Sequence, residues 1–149
     1  HRVDGRMIVK PVTGGAHTAA VSPEDLAAER GAGLRYSPVT LQERIEGTDV
    51  RAYWLRGRCY AAEIRTPELD FREDPAAELV PIRLPEALER ACGAIAAELG
   101  YLFTGIDFRR TPDGEYVFFE GNPAPMFMHF EARTGFPITE ELVALLLDP

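Results

Sequence analysis

Thr104-Gly-Ile-Asp-Phe-Arg-Arg-Thr-Pro-Asp-Gly-Glu-Tyr-Val-Phe-Phe-Glu-Gly-Asn122 is the stretch from which the rest of the chain is read. Its pattern predicts two β-strands, Phe103 to Arg110 and Glu115 to Glu120, joined by a turn at Asp113-Gly114, a dipeptide that tolerates the positive φ of a tight hairpin. Asp107 lies near the middle of the first strand, Glu120 closes the second, and Asn122 follows in a loop restricted by Pro123. Three oxygen-bearing side chains are thereby brought toward one point. Hard oxygen donors of this kind suit Mg²⁺, which takes carboxylates and completes its shell with water and phosphate oxygens. The same pattern describes a surface hairpin with ordinary polar ends, and spacing alone leaves both readings open.

With 149 residues, the chain can bury one ordinary core, divided into at most two subdomains. Being 46% hydrophobic and 27% charged, it has the composition of a globular protein. Sixteen Lys and Arg against 24 Asp and Glu, a formal net charge of −8, exclude a general nucleic-acid binder, which needs a basic face to neutralise phosphates. Lys10 is the only lysine, so an anionic ligand that needs an ammonium group has one place to find it. Cys59 and Cys92 have no metal-ligand spacing and form no CxxC pair, which predicts reduced, half-buried thiols and a cytoplasmic setting. The longest apolar runs, such as Leu142 to Leu147, are too short for a membrane span. No basic-then-apolar signal segment opens the chain. It begins at His1 and runs almost at once into a strand, so we expect a preceding N-terminal part.

Met7 to Lys10 reads as a strand that Pro11 limits, placing Lys10 at its end. Thr13-Gly14-Gly15-Ala16-His17 follows, a small-residue loop whose backbone N–H groups can approach a ligand closely. Ser22-Pro23-Glu24-Asp25 predicts a helix start with a serine cap, ending before Gly31. Val39 to Glu43 alternates as a strand, and Glu46-Gly47 makes a hinge. Val50 to Arg56 and Cys59 to Arg65 form a second hairpin, with Tyr53 and Leu55 on one face and Ala52 and Trp54 on the other. Thr66 to Val80 reads as an acidic, solvated loop. Pro85 to Leu99 predicts a helix whose stripe puts Leu88, Ile95 and Leu99 in the core, with Gly100 ending it. A Pro-rich loop spans Asn122 to Phe130, and a last helix runs from a capping Thr139 to Leu147.

Together these segments resemble the ATP-grasp superfamily, over nearly the whole chain, as the C-terminal, ATP-binding portion of such an enzyme. The nearest likeness is to RimK-like ligases and microviridin-type ATP-grasp peptide maturases. Ile8-Val9-Lys10-Pro11 with Thr13-Gly14-Gly15 is similar to the family's nucleotide lysine and phosphate-covering loop. Gln42 to Arg51 resembles the adenine hinge and ribose segment. Gly105-Ile106-Asp107 and Phe119-Glu120-Gly121-Asn122-Pro123 resemble the magnesium motif. The resemblance implies an α+β fold in which two subdomains with antiparallel sheets grip ATP, residues 1–44 belonging to the first and 45–149 to the second.

It also implies roles. Lys10, Gly14 and Gly15 would meet the phosphates; Gln42 or Glu43 would accept from the adenine amino group beside the backbone of Ile45; and Asp49 would accept from the ribose. Arg51 projects from the same strand face as Asp49, toward the phosphates, and Arg72 would help to hold the acyl phosphate or the substrate. Asp107, Glu120 and Asn122 would hold one or two Mg²⁺, a set that Mn²⁺ also fits. The implied activity is an ATP-dependent carboxylate–amine or carboxylate–hydroxyl ligase acting on a peptide or amino-acid substrate. Its partners would be ATP, that substrate, the preceding domain of the same enzyme, and a second copy if it is a homo-oligomer. His17 is the better proton-transfer candidate, ahead of His129. The stretch Pro125 to Glu131 departs from the family pattern, and its Met/Phe residues read either as core packing or as a floor for substrate. Two rival functions use the same residues: a nucleotide-binding regulatory or scaffold module without ligase activity, and a phosphotransferase.

Overall fold

The computed structural model describes residues 6–12, 17–26 and 32–147. Gly14 and Gly15 of the expected phosphate loop therefore lie outside the described residues, as does the stretch 27–31 in which the Ser22 helix was expected to continue. The chain is α+β and divides into two compact units, residues 1–46 with 66–76, and residues 47–65 with 77–149.

In the first unit, β1 (Met7–Pro11) pairs antiparallel with β2 (Ala19–Ala20) on one side and β3 (Val39–Glu43) on the other. Pro11 is accommodated at the strand's last position, opposite Val39. Ser22 does cap, exchanging hydrogen bonds with Asp25, and among the described residues it opens a 3₁₀ turn, Pro23–Leu26. The segment 66–76 joins this unit. It carries a 3₁₀ turn, Phe71–Glu73, capped by the Asp70 carboxylate, which accepts from the Arg72 N–H.

The second unit is a five-stranded antiparallel sheet in the order β6-β5-β4-β7-β8: β4 (Thr48–Leu55), β5 (Arg58–Arg65), β6 (Glu78–Ile82), β7 (Phe103–Arg110) and β8 (Tyr116–Asn122). Arg56 and Gly57, with φ of 49° and 82°, make the two-residue turn between β4 and β5. Strand β6 occupies part of the expected acidic loop. It is an edge strand, where Pro81 costs no ladder bond on its outer side.

Helix α1 (Glu86–Glu98) packs on one sheet face. There Cys92, Val50, Ala52, Ala61, Ile106 and Phe108 form one core, with Trp54, Cys59, Leu88 and Ile95 against it. Contrary to expectation, Leu99 is half exposed, because it caps a helix end that overhangs the edge strand β8; Cys92 and Ala96 are the deeply buried positions. Helices α2 (Met128–Thr134) and α3 (Ile138–Leu147) cover the Tyr53–Leu55 end of the other face, where Tyr53, Leu55, Ala62, Phe130 and Ile138 form the second core. Helix α2 replaces the last part of the expected Pro-rich loop. Thr139 is not a cap: its N–H and hydroxyl both donate to the Glu131 carboxylate, which serves the α3 start in its place. Both cysteines are free and meet across the α1–sheet interface. Among the described residues no helix is long and apolar enough to cross a membrane.

Gly47, at the entry to β4, has φ of 143°, and a Cβ there would stand 2.1 Å from the Arg110 carbonyl oxygen. Both the dihedral and the backbone clash exclude a side chain. Gly47→Ala is therefore expected to cost about 3 kcal/mol, read as a lowered urea midpoint with unchanged slope; an unaltered midpoint would show that β4 enters the sheet differently.

Candidate functional site

Strand β4 changes character along one face. Asp49 and Arg51 precede Tyr53 and Leu55 on the same side, while Val50, Ala52 and Trp54 keep the α1 side apolar throughout. Strand β7 mirrors this, with Asp107 opposite Arg51 and Arg109 opposite Asp49. Two opposed charge pairs result. Arg51 donates Nε to Asp107 Oδ1 and Nη2 to Oδ2, both at 2.7 Å, and Arg109 donates Nε and Nη2 to Asp49 Oδ1 at 2.8 and 2.6 Å. Cross-strand pairing of opposite charges stabilises both strands and holds the long arginine side chains in one orientation. Burial alone would lower the Arg51 pKa; the hydrogen bonds to Asp107 and its charge outweigh that and raise it. Arg109 also lies over the Phe119 ring, 5.8 Å from its centroid.

Glu120 and Asn122 reach this face through a β-bulge. Phe108 pairs with Phe118, but Asp107 pairs with Glu120 and Gly105 with Asn122, so Phe119 is an extra residue in β8. In an unbroken register Glu120 would oppose Ile106 and point to the α1 side. The bulge turns Glu120 and Asn122 over to the side of Asp107. The Asn122 carbonyl accepts from the buried Thr104 hydroxyl at 2.9 Å, and its side-chain oxygen accepts from the Ala124 N–H at 2.9 Å.

The loop beyond Asn122 folds back over the same face. Pro125 packs where a Cβ on Gly105 would stand, 2.7 Å away, and the fully buried Tyr53 donates its hydroxyl to the Met126 carbonyl at 2.7 Å. Burial pushes the Tyr53 phenol up, and the neighbouring Arg51 charge offsets part of that. Phe127 and Phe130 turn inward, Phe127 edge-on to Phe103, while Met126 and Met128 are 92% and 75% exposed. The phenylalanines of the Met/Phe stretch are thus core, as one of the two readings expected, and its methionines face outward.

In the first unit, Lys10 pairs with Thr40 and Ile8 with Gln42, so Lys10 and Gln42 share one face of the small sheet, while Glu43, opposite Met7, is on the other. Ile45 follows β3 and is half-buried. Asp70 is buried in the second segment of this unit. Its carboxylate takes Arg72 Nε at 2.8 Å and Nη2 at 2.5 Å, and accepts from the Thr18 N–H at 3.1 Å. His17 Nδ1 lies 3.4 Å from Glu73 and 3.7 Å from Asp70. His129 is exposed at the start of α2.

Asp107, Glu120, Asn122, Asp49 and Arg51 are therefore brought to one face of one sheet, and Lys10 and Gln42 to one face of another. Sequence reasoning passed over Asp70, Arg109, Tyr53 and the Phe119 bulge. The Asp-x-Arg spacing of Asp49-Val-Arg51 recurs at Asp107-Phe-Arg109, and on antiparallel strands that repetition sets each arginine opposite the other strand's aspartate. The donor chemistry fits a hard divalent cation: two carboxylates and an amide oxygen on one sheet face. Among the described residues no group of three or more His, Cys, Asp or Glu forms a self-sufficient metal cluster, so such an ion would complete its shell from Asn122, water and phosphate oxygens.

No family model and no curated protein sequence matches the chain. Solved structures do. A complex of the ATP-grasp ligase PsnB with a phosphomimetic variant of its minimal precursor, Mg and ADP is 34% identical, with a TM-score of 0.79, over 93% of this chain and 46% of that one. The macrocyclase MdnC bound with precursor peptide MdnA, from Microcystis aeruginosa MRC, is 26% identical at a TM-score of 0.83, over 98% and 49%. A RiPP-associated ATP-grasp ligase from Chryseobacterium gregarium, in complex with ADP and a leader and core peptide, is 26% identical at 0.85, over 98% and 50%. The chain spans about half the length of these relatives.

The Arg72 hydrogen bonds, with those from Thr18 and the Arg72 N–H, hold the Asp70 pKa below the usual carboxylate range despite its burial. A carboxylate with a depressed folded-state pKa contributes stability that is complete above its unfolded value, near 4, and is lost as pH falls toward the folded value. Protection of the Thr18 and Arg72 amides from hydrogen exchange should therefore decline below about pH 4 in the wild type. In Asp70→Asn it should be low and pH-independent at neutral pH, and wild-type protection retained in that variant would show that Asp70 does not organise the segment.

Proposed function

We propose, because the chain belongs to the ATP-grasp superfamily, that it carries the nucleotide- and metal-binding portion of an ATP-dependent ligase, in the line of RimK-like and ribosomal-peptide maturases. Such an enzyme joins a carboxylate to an amine or hydroxyl of a peptide or amino-acid substrate. The observation that best supports this reading is the register of β7 and β8, in which the Phe119 bulge sets Glu120 and Asn122 beside Asp107. A non-catalytic scaffold has no use for that set.

In this reading a substrate carboxylate oxygen attacks the γ-phosphorus of ATP and ADP leaves. An amine or hydroxyl then attacks the acyl carbon and inorganic phosphate departs, so one water is lost from the joined substrates and no enzyme nucleophile is required. Asp107, Glu120 and Asn122 would hold Mg²⁺, which when bound neutralises phosphate charge. Lys10 meets the phosphates with a mobile point charge. Gln42, sharing a face with Lys10, is better placed than Glu43 to accept from the adenine amino group, beside the Ile45 backbone. Asp49 keeps Oδ2 for a ribose hydroxyl while Oδ1 holds Arg109. Arg72, aligned by Asp70, presents a fixed guanidinium edge to phosphoryl oxygens, and Arg51, which rests on Asp107 in the nucleotide-free chain, meets them from the strand beside it. Gly14 and Gly15 cover the phosphates. The exposed Met126 and Met128 give an adaptable apolar contact for the peptide. Domains 1–44 and 45–149, a preceding domain, a cytoplasmic location and use of Mn²⁺ complete the proposal.

The full-length protein, incubated with ATP, Mg²⁺ and peptides encoded beside its gene, is expected to release ADP and phosphate and yield a peptide lighter by one water per bond, read by mass spectrometry. Asp107→Ala and Glu120→Ala should each abolish this with an unchanged circular dichroism spectrum. A stable phosphorylated peptide would instead identify a phosphotransferase, and unchanged turnover in either variant would refute the metal assignment.

A further inference from the structure

We infer that Arg51 is an internal counter-cation of the Asp107 site: its guanidinium and a divalent ion compete for the same carboxylate, and arrival of the ion frees Arg51 for anionic oxygens of the substrate. This rests on the reading of Asp107 as a metal ligand.

The two arginines of the face are held differently. Arg109 takes a single oxygen of Asp49, lies over the Phe119 ring and is 15% exposed at its side chain. Arg51 takes both oxygens of Asp107, the one strand carboxylate that also sits in register with Glu120, and is 29% exposed. A bidentate guanidinium fills the fork of a carboxylate that a hard cation would enter, and the two cations repel at that separation. The charges facing the site are Asp49, Asp107 and Glu120 against Arg51 and Arg109, one net negative charge, with the Tyr53 phenol beside Arg51. A divalent ion added to that set leaves it net positive unless Arg51 finds another anion. The phosphate oxygens of a nucleotide are such an anion, so metal and nucleotide should bind with mutual reinforcement, because each removes the unfavourable partner of the other.

The test measures Mn²⁺ binding to the nucleotide-free chain, by electron paramagnetic resonance of the free ion, in wild type, Arg51→Gln, Arg51→Lys, Arg109→Gln and Asp107→Asn, with thermal melts to verify folding. Competition predicts binding about tenfold tighter in Arg51→Gln, the worth of one charge-assisted hydrogen bond. Arg51→Lys, which keeps the charge but not the fork, should fall between Arg51→Gln and wild type. Arg109→Gln, which removes an equal charge two residues away, should change affinity much less than Arg51→Gln. Equal tightening in Arg51→Gln and Arg109→Gln would reduce the effect to net charge and overturn the inference, as would unchanged or weaker binding in Arg51→Gln while Asp107→Asn still loses the ion. Undiminished Mn²⁺ binding in Asp107→Asn would remove the metal-site reading itself, and the competition with it.

Discussion

Phe119 is the residue that strand β8 has in excess of its partner β7, and the meeting of Glu120 and Asn122 with Asp107 follows from its presence. Side chains on a strand alternate, so one added residue reverses the facing of everything beyond it. Up to Phe118 the two strands pair as an ordinary edge ladder whose aromatic residues pack on Phe108. Past Phe119, Glu120 and Asn122 stand with Asp107, and Gly121 faces α1, where its missing Cβ leaves ordinary contact distance to Leu99. The Arg109 guanidinium over the Phe119 ring gives the bulge a fixed neighbour and links it to Asp49 on β4.

Around that bulge the sheet separates two kinds of energetics on one face. At the Tyr53–Leu55 end, burial under α2 and α3 supplies the driving force, each enclosed Leu or Ile contributing about 1.5–3 kcal/mol. At the Asp49–Arg51 end the same strands hold opposed charges that are satisfied in pairs and stay partly hydrated. Tyr53 joins the ends. Its ring is core, and its hydroxyl holds the Met126 carbonyl, which pins the loop behind Asn122 beside the charged half. Gly105 and Pro125 complete that closure, a glycine being needed because the proline ring takes its side-chain space.

Much of this is written locally. The Asp113-Gly114 and Arg56-Gly57 turns, the alternation in β4 and β5, and the end of α1 at Gly100 each depend on a few adjacent residues, and the structure agrees with them. The ATP-grasp likeness was legible because four short segments fall in order along the chain. What local reading missed depends on a partner. Pro81 argues against a strand until β6 is known to be an edge; Pro123 and Pro125 disguise the helix that starts at Met128; and an apolar stripe does not tell that the Leu99 end of α1 overhangs the sheet. The bulge belongs to the same class, since an extra residue is defined only against the opposite strand. Asp70 escaped because its importance lies in Thr18, 52 positions earlier.

Paramagnetic broadening by substoichiometric Mn²⁺, followed residue by residue in the amide spectrum of the nucleotide-free chain, tests the central claim most directly. If the Phe119 bulge assembles the ion site, the amides of Asp107, Glu120 and Asn122 broaden first and together, and Ile106 and Gly121 lie within the same sphere. Broadening centred instead on Glu63, which pairs with Val50 on the α1 side of the sheet and is bridged there to Arg65 and Arg110, or spread evenly over the acidic surface, would contradict the account.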